Sequence, residues 1–389
     1  MYKMNKTKWI IPEQAVGPDV IEVIRSSLKV EQNRCITGFF RTGKTTALLL
    51  FARKIRSYDP AARILLLGYS NLWVEIITAE FSKYGFYVTV ETYWSFKNSS
   101  SRLDHYDYIL CDDVQVVGRS MLCEIKSRAN HVIVSINPEL EIFAKDSFFE
   151  EAAITISDVE EILQPEVFEL SAPKCDIVLG LARSFLDKGN SMSYQTYKSA
   201  PSCRFHLNEA ISKKYEVECL KKKSSMCQAM GRSTAILIPT KKGIESFVKE
   251  LVKSEGKEPW TKKLNRWGGI DFSSLNEYLS SLGLKFQCLG GNYKKCCDLD
   301  SKISIMTYHA SMGFSFDDVF LPYLNSDLFL CSNETMSRHL FAMALTRSKN
   351  DVYLFYSGSK HPYIDEMTEI CNIDVMDIDG DICFEHLEI

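Results

Sequence analysis

The residues Gly38-Phe39-Phe40-Arg41-Thr42-Gly43-Lys44-Thr45 follow the spacing G-x-x-x-x-G-K-[ST], which serves phosphate chemistry. A loop whose successive N–H groups converge on a phosphate needs glycines where a Cβ would block the approach, and the helix behind it adds its positive N-terminal end. In such a loop Lys44 reaches the β- and γ-phosphates and Thr45 offers its hydroxyl to Mg²⁺. Gly38, Thr42, Gly43, Lys44, Thr45 and Thr46 are therefore candidate ATP contacts. The plain alternative is a glycine turn that carries lysine and threonine by accident. The bare pattern arises by chance in roughly one chain in a hundred of this length. Here an apolar run, Cys35-Ile36-Thr37, precedes it and a helix-forming run, 46–52, follows it, which makes accident rarer still.

A second cluster is Asp112-Asp113-Val114-Gln115, at the end of the apolar stretch 106–111. Asp112 is placed to hold Mg²⁺ together with Thr45, Asp113 to orient or deprotonate an attacking water, and Gln115 to sense the γ-phosphate. Alone the pattern is weak. Behind a phosphate loop, with two further strands between, it is specific.

These residues need a frame that holds them at one edge. Apolar, β-branched runs at 62–67, 86–90, 106–111 and 131–136 alternate with helical patterns at 20–28, 72–84 and 120–127, the first with Asp19 as its expected N-cap. That alternation predicts a doubly wound parallel sheet with ligands beyond the carboxyl ends of its strands, where Gly38, Asn71 and Asp112 all fall. The pattern restarts near 158, with strands expected at 167–170, 233–238, 302–306, 318–321 and 351–356, helices at 159–163, 175–186, 208–223, 241–253 and 334–346, and a small insertion at about 255–300. Two α/β domains, 1–157 and 158–389, are the expected organisation.

The composition agrees with a soluble globular chain: 389 residues, 46% hydrophobic and 25% charged. Thirteen cysteines in a chain this long, behind a start with no apolar signal-peptide core, lead to the expectation of a reducing, cytoplasmic setting. No apolar run approaches a membrane span. A formal charge of −4 neither supports nor excludes a nucleic-acid partner, which needs only a local basic surface.

Taken in order along the chain, the motifs resemble those of superfamily 1 helicases of the UvrD/Rep type. Tyr69-Ser70-Asn71 looks like the family's strand-end segment that contacts single-stranded DNA. Thr92-Tyr93-Trp94-Ser95-Phe96 looks like "TFHSF", and Asp112 to Gln115 is similar to "DExQ". The stretch from Thr307-Tyr308-His309 through Gly313 to Leu321 looks like "TxHxxKGLEFxxVFL", and Phe341-Ala342-Met343-Ala344-Leu345-Thr346-Arg347 is close to "YVALTR". The resemblance implies two tandem RecA-like domains of a P-loop ATPase, with ATP and Mg²⁺ as ligands. It makes Lys44, Asp113, Gln115 and Arg347 catalytic, Arg347 reaching the γ-phosphate across the domain cleft. It adds Gln14 and Gly313 to the ATP contacts, and it assigns single-stranded nucleic acid, DNA ahead of RNA, to Asn71, Thr92, Tyr93, Trp94, Thr307 and His309.

The departures are equally specific. Asp113 stands where the family has glutamate, one methylene longer. Ser135-Ile136-Asn137-Pro138-Glu139 occupies the place of "GDxxQ" without its aspartate and glutamine. Met312 and Ser315 replace a lysine and a glutamate, and a second phosphate-sensing arginine is absent near 170–174, with Lys174 the candidate stand-in. Neither interval between motifs has room for the large inserted domains of processive members. Two readings follow. One is a compact ATP-dependent helicase or translocase. The other is a weakly active or inactive helicase-like nucleotide sensor that regulates a partner such as a nuclease, in DNA repair or anti-phage defence.

Other features are set aside. Cys203, His206, Cys219, Cys227 and Cys296-Cys297 match no standard zinc spacing, so buried thiols are the simpler reading. Asp377-Ile378-Asp379-Gly380-Asp381 has its glycine too early for a calcium loop. Lys221-Lys222-Lys223 is the charged end of a helix.

Overall fold

In a computed structural model the residues described here are 16–25, 32–85, 87–98, 104–140, 152–171, 177–187, 204–265, 268–290, 299, 301–371 and 376–378. The chain divides into two compact units, Lys8–Pro173 and a second that takes in Lys174–Ile389.

The first unit runs α1 (Pro18–Arg25), β1 (Arg34–Gly38), α2 (Lys44–Tyr58), β2 (Ile64–Gly68), α3 (Asn71–Lys83), β3 (Thr89–Thr92), α4 (Tyr93–Asn98), β4 (Tyr106–Cys111), a 3-10 turn (Val114–Val116), α5 (Arg119–Ser127), β5 (Ala129–Ile136), α6 (Ile156–Leu163) and β6 (Glu166–Leu170). Its sheet has the order β3-β2-β4-β5-β1-β6, and every strand pairing is parallel. Parallel strands covered on both faces read as continuous apolar runs, and β1 and β2 are buried along their whole length. Helix starts are set locally. Ser70 accepts from the Trp73 N–H at the start of α3, and Thr155 and Asp158 form a capping box on α6. Asp19 lies inside α1 rather than capping it, and its carboxylate accepts from the Ser171 N–H at 3.1 Å.

Sequence patterning places the restart at 158, whereas α6 and β6 complete the first sheet. Leu170 pairs with Gly38, and the division between units falls between Pro173 and Lys174. The physical reason is that β1 would otherwise leave an unpaired edge beside the 38–43 turn.

The second unit runs α7 (Ile177–Leu186), β7 (Arg204–Glu209), α8 (Lys213–Ala229), β8 (Thr234–Ile238), α9 (Lys241–Ser254), α10 (Phe272–Ser281), β9 (Phe286–Cys288), β10 (Ile303–Thr307), a 3-10 turn (His309–Ser311), β11 (Phe316–Leu321), α11 (Glu334–Leu345), β12 (Ser348–Tyr356), α12 (Pro362–Cys371) and β13 (Met376–Ile378). Its sheet, β13-β7-β12-β11-β8-β10-β9, is again paired only in parallel. Two expectations change here. The charged helix begins at Lys213, not 208, because 204–209 pairs as β7 beside β12 and Ser212 caps the helix through the Tyr215 N–H. The supposed insertion is part of the fold: β9 pairs with β10, and Phe272, Leu275, Leu279 and Phe286 join the core formed by α8, α9 and β8.

Candidate nucleotide site

The loop between β1 and α2 is shaped by backbone conformations that few residues adopt. Gly43 sits at φ 96 as the N-cap of α2, and a Cβ on Gly38 would fall 2.7 Å from the Leu170 carbonyl and 2.8 Å from Thr42 Oγ1. Arg41 also takes a left-handed conformation, φ 57. Lys44 is buried, and its ammonium donates to the carbonyl oxygens of Gly38 at 2.8 Å and Phe39 at 2.6 Å. Thr42 donates to the Phe39 carbonyl at 3.1 Å, and Thr46 follows within the first turn of α2.

Thr45 and Asp112, 67 residues apart, meet directly. The hydroxyl lies 2.9 Å from Oδ2 and 3.1 Å from Oδ1. They come together because β4 and β1 flank β5, so both strand ends open on one edge of the sheet. Ser135, at the end of β5, donates to Asp112 Oδ1 at 2.7 Å and accepts from the Asp113 N–H at 2.8 Å. Sequence reading noted this strand end only for what it lacks. Its usable signal was a hydroxyl on the next-to-last residue of the strand, between the two motif strands. Burial, and the Asp113 carboxylate beside it, hold the Asp112 carboxyl above the ordinary carboxylate range, against the hydrogen bonds of Ser135 and Thr45 and the charge of Lys44.

Asp113 has φ 52 and ψ 54 and opens the 3-10 turn. Gln115 is engaged at both ends of its amide: Nε2 donates to Asp113 Oδ1 at 3.1 Å and Oε1 accepts from the Asn137 N–H at 3.2 Å. It thus holds Asp113 in place. A hard-oxygen pair, Thr45 and Asp112, beside a buried lysine and an N-terminal helix turn fits Mg²⁺ carried on a phosphate, which takes one or two carboxylates and leaves its other positions to phosphate and water. Among the described residues no group of three or more His, Cys, Asp or Glu is placed to hold a metal by itself.

The expected strand contacts separate. Trp94 is 49% exposed, whereas Tyr93 is only 2% exposed and donates its hydroxyl to the Asp112 backbone carbonyl at 2.9 Å. Tyr93 therefore presents no exposed ring face here; it supports the Asp112 strand end from within. Thr92 is buried, and its hydroxyl oxygen accepts from the Ser95 N–H as a cap on α4. Asn71 begins α3. Gln14 and Lys174 lie outside the described residues, as do Cys203, Cys296 and Cys297.

In the second unit, Thr307 accepts from the Ala310 N–H at 3.1 Å, His309 opens the 3-10 turn, and Gly313 takes φ 80. Arg347 is 6% exposed. Its guanidinium donates to the carbonyls of Met343 at 3.0 Å and Phe314 at 3.2 Å and to the Thr346 hydroxyl at 3.0 Å. Among the described residues no helix is long and apolar enough to cross a membrane.

Fold and site define an α/β protein with two parallel, helix-flanked sheets and, in the first, a glycine-shaped turn from β1 into α2. No protein-family model and no curated protein matches the chain. Among solved structures it is similar to the DUF1998 helicase MrfA bound to DNA, at 11% identity and a TM-score of 0.48, over 91% of this chain and 52% of that one. It is also similar to the C-terminal domain of a possible DNA helicase from Lactobacillus plantarun WCFS1, at 12% identity and a TM-score of 0.34, over 51% of this chain and 94% of that one. This chain thus spans about half the length of the MrfA chain. At these scores neither likeness identifies it.

Proposed function

We propose that the chain is an ATP-dependent, nucleic-acid-binding protein of the superfamily 1, UvrD-like helicase or translocase type, built on two RecA-like domains and hydrolysing ATP at the 38–45 loop. The observation that carries the proposal is the meeting of Thr45 with Asp112, hydroxyl to carboxylate at 2.9 Å, beside a buried Lys44. Two motifs distant in sequence then converge on one spot suited to a metal-bound triphosphate.

In this reading Thr45 and Asp112 hold Mg²⁺, which neutralises charge on the phosphate oxygens. Lys44 exchanges the Gly38 and Phe39 carbonyls for the β- and γ-phosphates. Asp113, steadied by Gln115, takes a proton from the attacking water. Arg347 is assigned to the charge that develops on the γ-phosphate, so it must first give up the Phe314 carbonyl. Trp94 offers a stacking surface to a single strand, DNA ahead of RNA, with Asn71, Thr307 and His309 as polar contacts.

A second reading has its own support. The engagement of Arg347 within its own unit, and the lack of aspartate and glutamine at the end of β5, favour a slow nucleotide sensor that reports to a partner such as a nuclease. The deciding experiment is the ATPase rate with and without single-stranded DNA or RNA. Strong stimulation supports the motor. Tight ATP binding with slow, unstimulated turnover supports the sensor, and absence of nucleotide binding removes both.

A further inference from the structure

Strand β5 ends at Ile136. Ser135 turns its hydroxyl to Asp112, and Asn137, the first residue past the strand end, donates its backbone N–H to Gln115, which holds Asp113. The register of β1 and β5, with Thr37 opposite Ile136, brings Asn137 level with Gly38, where the phosphate loop begins.

Asn137 is 2% exposed. Its backbone N–H donates to Gln115 Oε1 at 3.2 Å, its backbone carbonyl accepts from the Leu140 N–H at 3.2 Å, and its side-chain Oδ1 accepts from the Glu139 N–H at 3.2 Å. The last contact fixes which end of the amide is oxygen, since an N–H needs an acceptor. The other end, Nδ2, is buried and has no hydrogen-bond partner among the described residues. Buried polar atoms are nearly always paired, and an amide donor left over beside a phosphate loop is suited to an anion.

Resting on the ATP reading, we infer that Asn137 senses the γ-phosphate: Nδ2 donates to a terminal phosphate oxygen that ATP has and ADP lacks. The β-phosphate falls to the loop N–H groups, and Lys44 bridges it to the γ-phosphate. Asn137 stands instead on the side of Asp112 and Asp113, where the terminal phosphate meets the metal and the water. Its backbone link through Gln115 to Asp113 then ties recognition of that phosphate to the position of the carboxylate. This assigns a donor to a strand end that has neither the aspartate nor the glutamine of the resembling family.

The test is calorimetric titration of the full chain with AMP-PNP and with ADP, both with Mg²⁺, for the wild type, Asn137→Ala, Asn137→Asp and Lys44→Ala. Loss of one donor to a charged oxygen should weaken AMP-PNP binding roughly tenfold or more in Asn137→Ala while ADP stays within about twofold. Asn137→Asp, which sets a carboxylate against the phosphate, should weaken AMP-PNP further and leave ADP alike. Retained ADP binding shows that the variants are folded. Equal losses for the two nucleotides make Asn137 part of the scaffold and overturn the inference, as does an unchanged AMP-PNP affinity. If the wild type binds both nucleotides and Lys44→Ala alone weakens them, the ATP reading stands and only the role of Asn137 falls. If the wild type binds neither, the ATP reading fails and takes the inference with it.

Discussion

Arg347 holds the loop that follows β10. Its Nη1 donates to the Phe314 carbonyl at 3.2 Å while its own backbone carbonyl accepts from the Phe316 N–H at 2.8 Å. A residue assigned to a phosphate is thus also a brace across 314–316. Arg347→Ala should lower stability by about 1–3 kcal/mol, since it leaves buried carbonyls short of a charged donor. If it also acts on the transition state, turnover per folded molecule should fall by orders of magnitude with ATP affinity nearly unchanged. Thermal unfolding together with active-site-normalised kinetics separates the two effects. Parallel loss of affinity and rate would make Arg347 a ground-state contact.

Lys44→Ala should abolish hydrolysis and weaken ATP and ADP binding by roughly 10- to 100-fold, because it removes the buried ammonium assigned to the phosphates. The fold should survive, since the Gly38 and Phe39 carbonyls regain water. Equilibrium binding measured beside circular dichroism checks both halves.

Asp113 is one methylene shorter than the glutamate of the resembling family, so Asp113→Glu, judged by reach alone, should speed proton abstraction. The backbone argues otherwise. At φ 52 and ψ 54 aspartate and asparagine are tolerated better than glutamate. The expected outcome is a loss of about 1 kcal/mol of stability in Asp113→Glu with no gain in rate. Asp113→Asn should keep the fold and bind ATP without turning it over. Faster hydrolysis by Asp113→Glu would show that reach, not conformation, limits the wild type.

Glu216 is buried, accepts from the Tyr323 N–H and from the Ser357 hydroxyl at 2.9 Å, and is pushed up to about 7, first by burial, with those hydrogen bonds opposing. Between the ordinary value of 4.5 and about 7 the folded unit keeps a proton that the unfolded chain has released. Stability therefore declines as pH rises through that window. Amide exchange from α8 should accelerate from pH 5 to pH 8 beyond its intrinsic pH dependence in the wild type and much less in Glu216→Gln. An equal excess in both would remove Glu216 as the cause.

Trp94→Ala should weaken single-strand binding by about tenfold, the worth of one stacked base, with no change in melting temperature. Tyr93→Phe should do the reverse, costing about 1 kcal/mol through the lost hydrogen bond to the Asp112 carbonyl and leaving strand affinity intact. Fluorescence anisotropy with a labelled oligonucleotide, set beside melting curves, reads both. A stable Tyr93→Phe that no longer binds strands would return Tyr93 to the interface.

Much of the architecture was legible in the residues because its causes are local. Gly38 and Gly43 stand where the turn into α2 needs glycine, and the apolar runs announce strands covered on both faces; the caps at Ser70 and Thr155 are equally local but were not read from the sequence. What lay beyond the sequence depended on which distant strand became a neighbour. β5, formed about a hundred residues after the loop strand, slots between β1 and β4, and only that order sets Ser135 against Asp112 and Asn137 against Gln115. β6 belongs to the first sheet because β1 needs a partner on its other side, not because of any break in composition. Tyr93 and Trp94 are adjacent aromatics of equal promise in a list, yet one is sealed under the Asp112 strand end and the other faces water. Burial is decided by what packs from far along the chain, and a side chain's chemistry cannot be known until that neighbour is in place.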